Sequence, residues 1–246
     1  MKKFLLVTLF GLILFCPSVL AQSINQDNIV AQKTKYYKTV TKIGPSISTY
    51  SINDSNSVTY EISEQEYEET NTASTYSATV ETTYKKMTSN IISLGIYYQY
   101  QVILDWKNMP STRSYDIIAI GFPSSVKPTG KGVFQNKYCL SAGGCYTLTN
   151  YNMYLGKNGV GATFALPTGS LSSLRQTLTI NMEKSNSSTT ITSQTASGDY
   201  AHATSTVSLA NAQKYTVSVN GISHTGNMSQ YYDSINAAKA TWSGKW

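Results

Sequence analysis

Leu94–Trp106 reads LGIYYQYQVILDW, and its alternation decides the fold class. Ile96, Tyr98, Tyr100, Val102 and Leu104 occupy every second position, so an extended chain puts them on one face. Branched and aromatic side chains at that period fit a pleated strand lying against a core. Working outward, STYSATVETTYKKM (Ser74–Met87) places Tyr76, Ala78, Val80, Thr82 and Tyr84 on one face with mostly polar residues between. SYDIIAIGF (Ser114–Phe122) is a short apolar run, predicted to be a strand covered on both faces. GVGATFAL, LRQTLTINMEK and KYTVSVNGI continue the series, separated by LPTGS, NSSTT, LANAQ and GISHTGN. Short strands punctuated by Gly, Pro and Asn predict an all-β chain forming a single antiparallel, jelly-roll-like β-sandwich.

Helical signals are few. SEQEYEET (Ser63–Thr70) offers a capping box, Ser63 with Glu66 three residues on, and is expected to form a short solvated turn. QSINQDNIVAQKTKYYKTV (Gln22–Val40) is polar and is predicted to be irregular before the first strand. With no internal repeat and no linker, the expected organisation is a leader over 1–21, a polar, partly irregular segment over 22–56 and one sandwich domain over 57–246.

The leader is read from MKKFLLVTLFGLILFCPSVLAQ. Lys2 and Lys3 precede an apolar run from Phe4 to Phe15, then Pro17 and a Val19-Leu20-Ala21 cleavage signal, which together make a secretory signal peptide cut after Ala21. A membrane anchor needs roughly 20 apolar residues, more than this run supplies. Cys16 follows the bulky Leu14-Phe15, which argues against a lipid-carrying cysteine. Export removes two of 19 basic residues, leaving 17 against 13 acids and a charge of +4. A mildly basic exported protein is drawn to anionic walls, acidic polysaccharides and membrane surfaces. Its lysines are scattered, which speaks against nucleic acid as a partner.

Two cysteines then remain, in CLSAGGC. An oxidising compartment favours a Cys139–Cys145 disulfide, with Gly143-Gly144 letting the chain turn back. Recruiting His202 and His224 beside them matches no zinc spacing, so no metal or cofactor is expected. Arg113, in NMPSTRSYDIIAIGF, stands at a turn made by Pro110 and Ser111-Thr112. In an extended chain Arg113 and Asp116 point to opposite faces, so each is expected to find its partner elsewhere, with Asp105 or Glu81 available to Arg113. The main reading is a fold corner; a ligand-binding arginine is the alternative. Tyrosine doublets are candidate contact residues because aromatic rings stack on sugar faces, although the main reading packs one ring of each doublet in the core while the other covers the sheet. The ligand-binding candidates are Tyr97, Tyr98, Tyr100 and Arg113.

Catalytic templates are missing. There is no H-E-x-x-H or G-x-S-x-G, and GKNGVG (Gly156–Gly161) lacks the Gly-Lys-Ser/Thr ending of a phosphate loop and reads as a hairpin turn. Asp199 and His202, three apart in DYAH, would face opposite ways in a strand. No catalytic residue is assigned, and a secreted hydrolase is a third reading. SSTTITSQTASGDYAHATSTVSL (Ser187–Leu209) reads as two Ser/Thr-rich arms around Gly198-Asp199, an ordinary hairpin or, in the second reading, the stem of a membrane-active toxin. The leader, the low-charge Ser/Thr/Tyr-rich body and MPSTRSYDIIAIGF resemble exported proteins of Gram-positive bacteria that carry no assigned activity. That resemblance implies export and no reaction. The leading expectation is a secreted or wall-associated binding protein whose ligand is a polysaccharide or another cell-envelope component.

Overall fold

In a computed structural model of the chain, residues 28–42, 57–70, 80–233, 235 and 237–246 are described. The expected leader, 1–21, lies outside these residues. The strands in chain order are β1 (Ile29–Lys42), β2 (Ser57–Ile62), β3 (Val80–Ser93), β4 (Tyr98–Trp106), β5 (Tyr115–Gly121), β6 (Val126–Pro128), β7 (Val133–Leu140) and β8 (Cys145–Leu148). They continue as β9 (Tyr151–Gly156), β10 (Gly159–Ala165), β11 (Leu171–Lys184), β12 (Ser193–Ala201), β13 (Tyr215–Ser218), β14 (Gly221–His224) and β15 (Ala238–Ser243). Two short helices, α1 (Glu64–Glu69) and α2 (Leu209–Ala212), and a 3-10 turn at Met228–Tyr231 complete the described elements.

The strands build an antiparallel β-sandwich, the predicted class. An eight-stranded sheet runs β2-β1-β3-β4-β11-β7-β8, with β6 also paired to β11. A five-stranded sheet runs β15-β12-β5-β10-β9. The core between them follows from alternation. Tyr98, Tyr100, Val102, Leu104 and Trp106 of β4 point inward beside Leu174, Leu178, Ile180 and Met182 of β11. Opposite them stand Ile118 and Ile120 of β5 and Val160, Ala162 and Phe164 of β10. Each large apolar side chain so buried contributes about 1.5–3 kcal/mol relative to exposure.

β5 is covered on both faces, as its apolar run predicts. Its other residues, Ile117 and Ala119, enter a second core on the outer side of the five-stranded sheet with Tyr215, Val217, Met228 and Tyr232. The β13-β14 hairpin lies close over that sheet because Gly121 has no side chain: a Cβ there would stand 1.8 Å from the Ser218 carbonyl oxygen.

Four expectations are corrected. The segment expected to be irregular before the first strand contains β1, a 14-residue strand paired on both sides, with Tyr37 fully buried. Pairing to β2 and β3 satisfies a polar strand whose alternation is weak. In β3 the inward face is Thr83, Lys85, Met87 and Ser89, not the face of Thr82 and Tyr84; a lysine holds an inward position because an acid meets it there. Ile96 sits in the turn before β4 and is 86% exposed. Ser187–Leu209 is no hairpin, since Gly198-Asp199 lies inside β12, which pairs with β15 on one side and β5 on the other.

Local readings agree elsewhere. The Ser63 hydroxyl caps α1 by accepting the Glu66 N–H at 3.0 Å. Lys157-Asn158 turns β9 into β10. Among the described residues, no helix is long and apolar enough to cross a membrane.

Candidate functional site

The corner question resolves first. Arg113 donates from Nε to the Pro110 carbonyl at 2.6 Å and from Nη1 to the Pro167 carbonyl at 2.9 Å. Beside it the Ser114 hydroxyl accepts the Val207 N–H at 2.8 Å and donates to the Val207 carbonyl at 3.2 Å. Arg113 and Ser114 together therefore tie three loops to one another. Asp105, the carboxylate expected to serve it, instead receives both Nε and Nη2 of Arg175, its cross-strand neighbour on β11. The side chain of Glu81 lies outside the described residues. Asp116, in β5, is fully buried and bonds to Tyr200, His202 and Ala203 rather than to Arg113.

Of the tyrosine candidates, burial reassigns two. Tyr100 has no exposed surface and spends its hydroxyl on Gln194 Oε1 at 2.7 Å. Burial pushes its hydroxyl well above the ordinary value, as expected of a ring held away from water. Tyr98 is 6% exposed and packs against Trp242 and Trp246, with ring centroids 5.3 and 4.6 Å away. Both rings are core. Tyr97, in the turn before β4, is half-buried and keeps a surface.

Two surface concavities gather polar and aromatic groups. One, of about 520 Å³, is bounded by Asp105, Lys137, Tyr138, Tyr146, Thr147 and Arg175, with the Cys139–Cys145 disulfide in its wall. The other, of about 730 Å³, is bounded by Lys107, Met109, Pro110, Arg113 and the Thr168–Ser172 loop. They adjoin along two strand ends: Trp106 borders the first and Lys107 the second, as do Ser173 and Ser172.

Local sequence explains this surface. Gly143 and Gly144, both at positive φ, let β7 return as β8, and the disulfide closes that exposed turn. The Tyr138 and Tyr146 rings then stack at 5.4 Å, with Tyr146 51% exposed. Four bases, Lys107, Arg113, Lys137 and Arg175, line the joined surface against one acid, Asp105. Arg175 neutralises Asp105, while Lys107 is held over the Tyr67 ring at 4.7 Å and donates to the Glu68 carbonyl at 3.1 Å. Lys137 is exposed. The sequence reading missed Lys137 and Tyr146; the glycine-rich turn between two cysteines was the signal that this loop projects.

Among the described residues, the hydrolase reading finds no accessible histidine–carboxylate dyad. His202 Nδ1 lies 3.0 and 3.1 Å from the Asp116 carboxylate oxygens, but both side chains are in the interior. His224 stacks on Tyr232 at 4.4 Å, and burial lowers its affinity for a proton. Among the described residues no three His, Cys, Asp or Glu side chains are grouped to hold a metal. The toxin-stem reading meets a strand, β12, with residues 196–201 all buried.

The fold and surface define an antiparallel β-sandwich whose larger sheet bears two adjoining basic concavities, one of them bordered by Tyr138 and Tyr146. No family model and no curated protein matches the chain. Two solved structures are similar to parts of it. One is a collagen-binding domain from a Staphylococcus aureus adhesin, 11% identical, covering 62% of this chain and 99% of that one at a TM-score of 0.32. The other is the collagen-binding domain of Erysipelothrix rhusiopathiae surface protein RspB, 5% identical, covering 67% and 66% at a TM-score of 0.31. Likeness of that size carries no ligand across to this chain.

Proposed function

We propose that the protein is an exported binding protein of the cell surface or extracellular space, with an envelope polysaccharide as its ligand. The observation that carries this reading is the joined groove, where four bases and an exposed tyrosine meet hydroxyl-bearing loops against a single acid. A cationic, hydrogen-bonding trough suits a polyhydroxylated chain with anionic substituents, and a ring such as Tyr146 offers a sugar a flat apolar face. The Arg113 corner shapes the floor of the trough, and Tyr97 lies outside it.

Co-sedimentation of the purified protein with envelope polysaccharide tests the reading. The intact protein is expected to be retained, and Lys137→Glu with Tyr146→Ala to lose roughly tenfold or more in affinity, the range of interface hot spots. Both side chains are at the surface, so the double variant should lose no more stability than the Tyr138–Tyr146 ring pair supplies, about 1 kcal/mol. A soluble collagen, the ligand of the two similar structures, serves as the protein arm. Retention on collagen alone, or on neither, would remove the polysaccharide assignment.

A further inference from the structure

Away from the groove, the interior holds a cluster of ionisable groups that surface binding does not use. Lys85 points inward from β3, and Asp233 lies between the 3-10 turn and β15; neither side chain has exposed surface. Lys85 Nζ contacts Asp233 Oδ2 directly. Asp233 Oδ1 accepts the His202 backbone N–H at 2.7 Å, and the Asp233 N–H donates to the His202 carbonyl at 2.9 Å. Aromatic rings enclose the amine, with the Trp106 and Tyr200 centroids 4.9 and 5.7 Å from Nζ. His202 is itself held by Asp116, which also accepts the Ala203 N–H at 2.9 Å.

As an ion pair this arrangement is costly. Each buried charge carries a desolvation penalty of several kcal/mol, repaid only when its hydrogen-bonding capacity is filled. An ammonium has three N–H donors. Among the described residues, the hydrogen bonds of Lys85 go to Asp233 alone. The Trp106 and Tyr200 rings offer the amine their faces but no lone-pair acceptor for its remaining N–H groups. The surroundings suit a neutral nitrogen attached to Asp233 better than a charged one beside it.

We propose that Lys85 and Asp233 are joined covalently, by an amide between Nζ and Cγ formed within the folded chain. The uncharged amine attacks Cγ of the protonated carboxyl. Nζ loses one proton, Oδ2 leaves with its own hydrogen and that proton as water, and Oδ1 remains as the amide oxygen. The step is a condensation, with no change in oxidation state and no co-reactant. Negative charge develops on Oδ1 in the tetrahedral stage, where the His202 N–H already points, as an oxyanion donor must. Folding supplies the second requirement by holding amine and carboxyl in contact, which replaces an encounter in solution. The product removes two buried charges from the core. It links the larger sheet to the chain entering β15 of the smaller one, across 148 residues, whereas the disulfide spans six.

Intact mass and peptide mapping of the purified full chain test the proposal. The expected mass is one water below that of the disulfide-bonded sequence, with a branched tryptic peptide joining the segments of Lys85 and Asp233. Lys85→Met and Asp233→Ala should each restore the missing water and abolish the branched peptide. The wild-type measurement stands by itself if either variant fails to fold. Full mass, with ordinary tryptic cleavage after Lys85 in the denatured protein, would overturn the proposal. So would a water loss that persists in Lys85→Met.

Discussion

Asp199 shows how one residue in a sandwich sets a pH response. Its carboxylate accepts the Tyr200 N–H at 2.7 Å and the Ile222 N–H at 2.6 Å, pinning β12 to β14. Burial pushes its pKa up from 3.8 to about 7, and the two backbone donors pull it down in part. The folded protein therefore binds this proton more tightly than the unfolded chain does. Its stabilising contribution is full below pH 3.8 and is lost as pH rises to about 7, a change on the order of 4 kcal/mol. Urea unfolding from pH 4 to 8 should show wild-type stability falling relative to Asp199→Asn across that window. Parallel curves would refute the assignment. At this scale the sequence was half legible. Counting along the strand separates Asp199, bonded to Ile222, from His202, which meets Asp116, because successive side chains alternate faces. Partners did not follow: Asp105 meets Arg175, and Lys85 meets Asp233, through register and loop placement that no local pattern encodes.

Elements were legible where alternation was strong and hidden where burial involved small or polar residues. β4, β5 and β11 announce themselves through branched and aromatic residues at the strand period. β12 does not, because its inward positions include Ala196, Gly198 and Tyr200, and small residues look like solvent-facing ones in a sequence. The structure supplies the reason for them. A Cβ on Gly198 would lie 2.2 Å from Ser89 Oγ and 2.5 Å from Val102 Cγ2, so the two sheets come close here because no side chain intervenes. The Gly198 N–H even donates to Ser89 Oγ across the gap at 3.1 Å. Gly198→Val is therefore expected to lower stability by about 1–3 kcal/mol, the cost of overpacking. It should leave near-native stability only if Ser89 and Val102 can swing aside. Urea midpoints of Gly198→Val alone and with Ser89→Ala measure this, and recovery in the double variant is the expected sign that the clash is with Ser89. An unchanged midpoint in the single variant would mean that the sheets separate at no cost there.

For the whole molecule, charge and shape point the same way without being one signal. The chain carries +6 in formal charge, spread along the sequence, and no motif marks the groove. Folding concentrates part of that charge by bringing residues 105–113, 137–147 and 168–175 to adjoining surfaces, an assembly made by strand order and invisible to composition. The two contributions have different ranges, which lets them be separated. Screening shortens electrostatic reach from about 10 Å at 0.1 M salt to about 3 Å at 1 M, while ring stacking and direct hydrogen bonds act at contact. Retention on an anionic envelope polymer should therefore weaken several-fold as salt rises, with Lys137→Glu flattening the dependence. Tyr146→Ala should instead lower retention by a similar factor at every salt concentration. The plot of log affinity against log salt for the three proteins decides the matter. Equal slopes for wild type and Lys137→Glu would mean that the diffuse charge of the chain, rather than the folded groove, draws it to the surface.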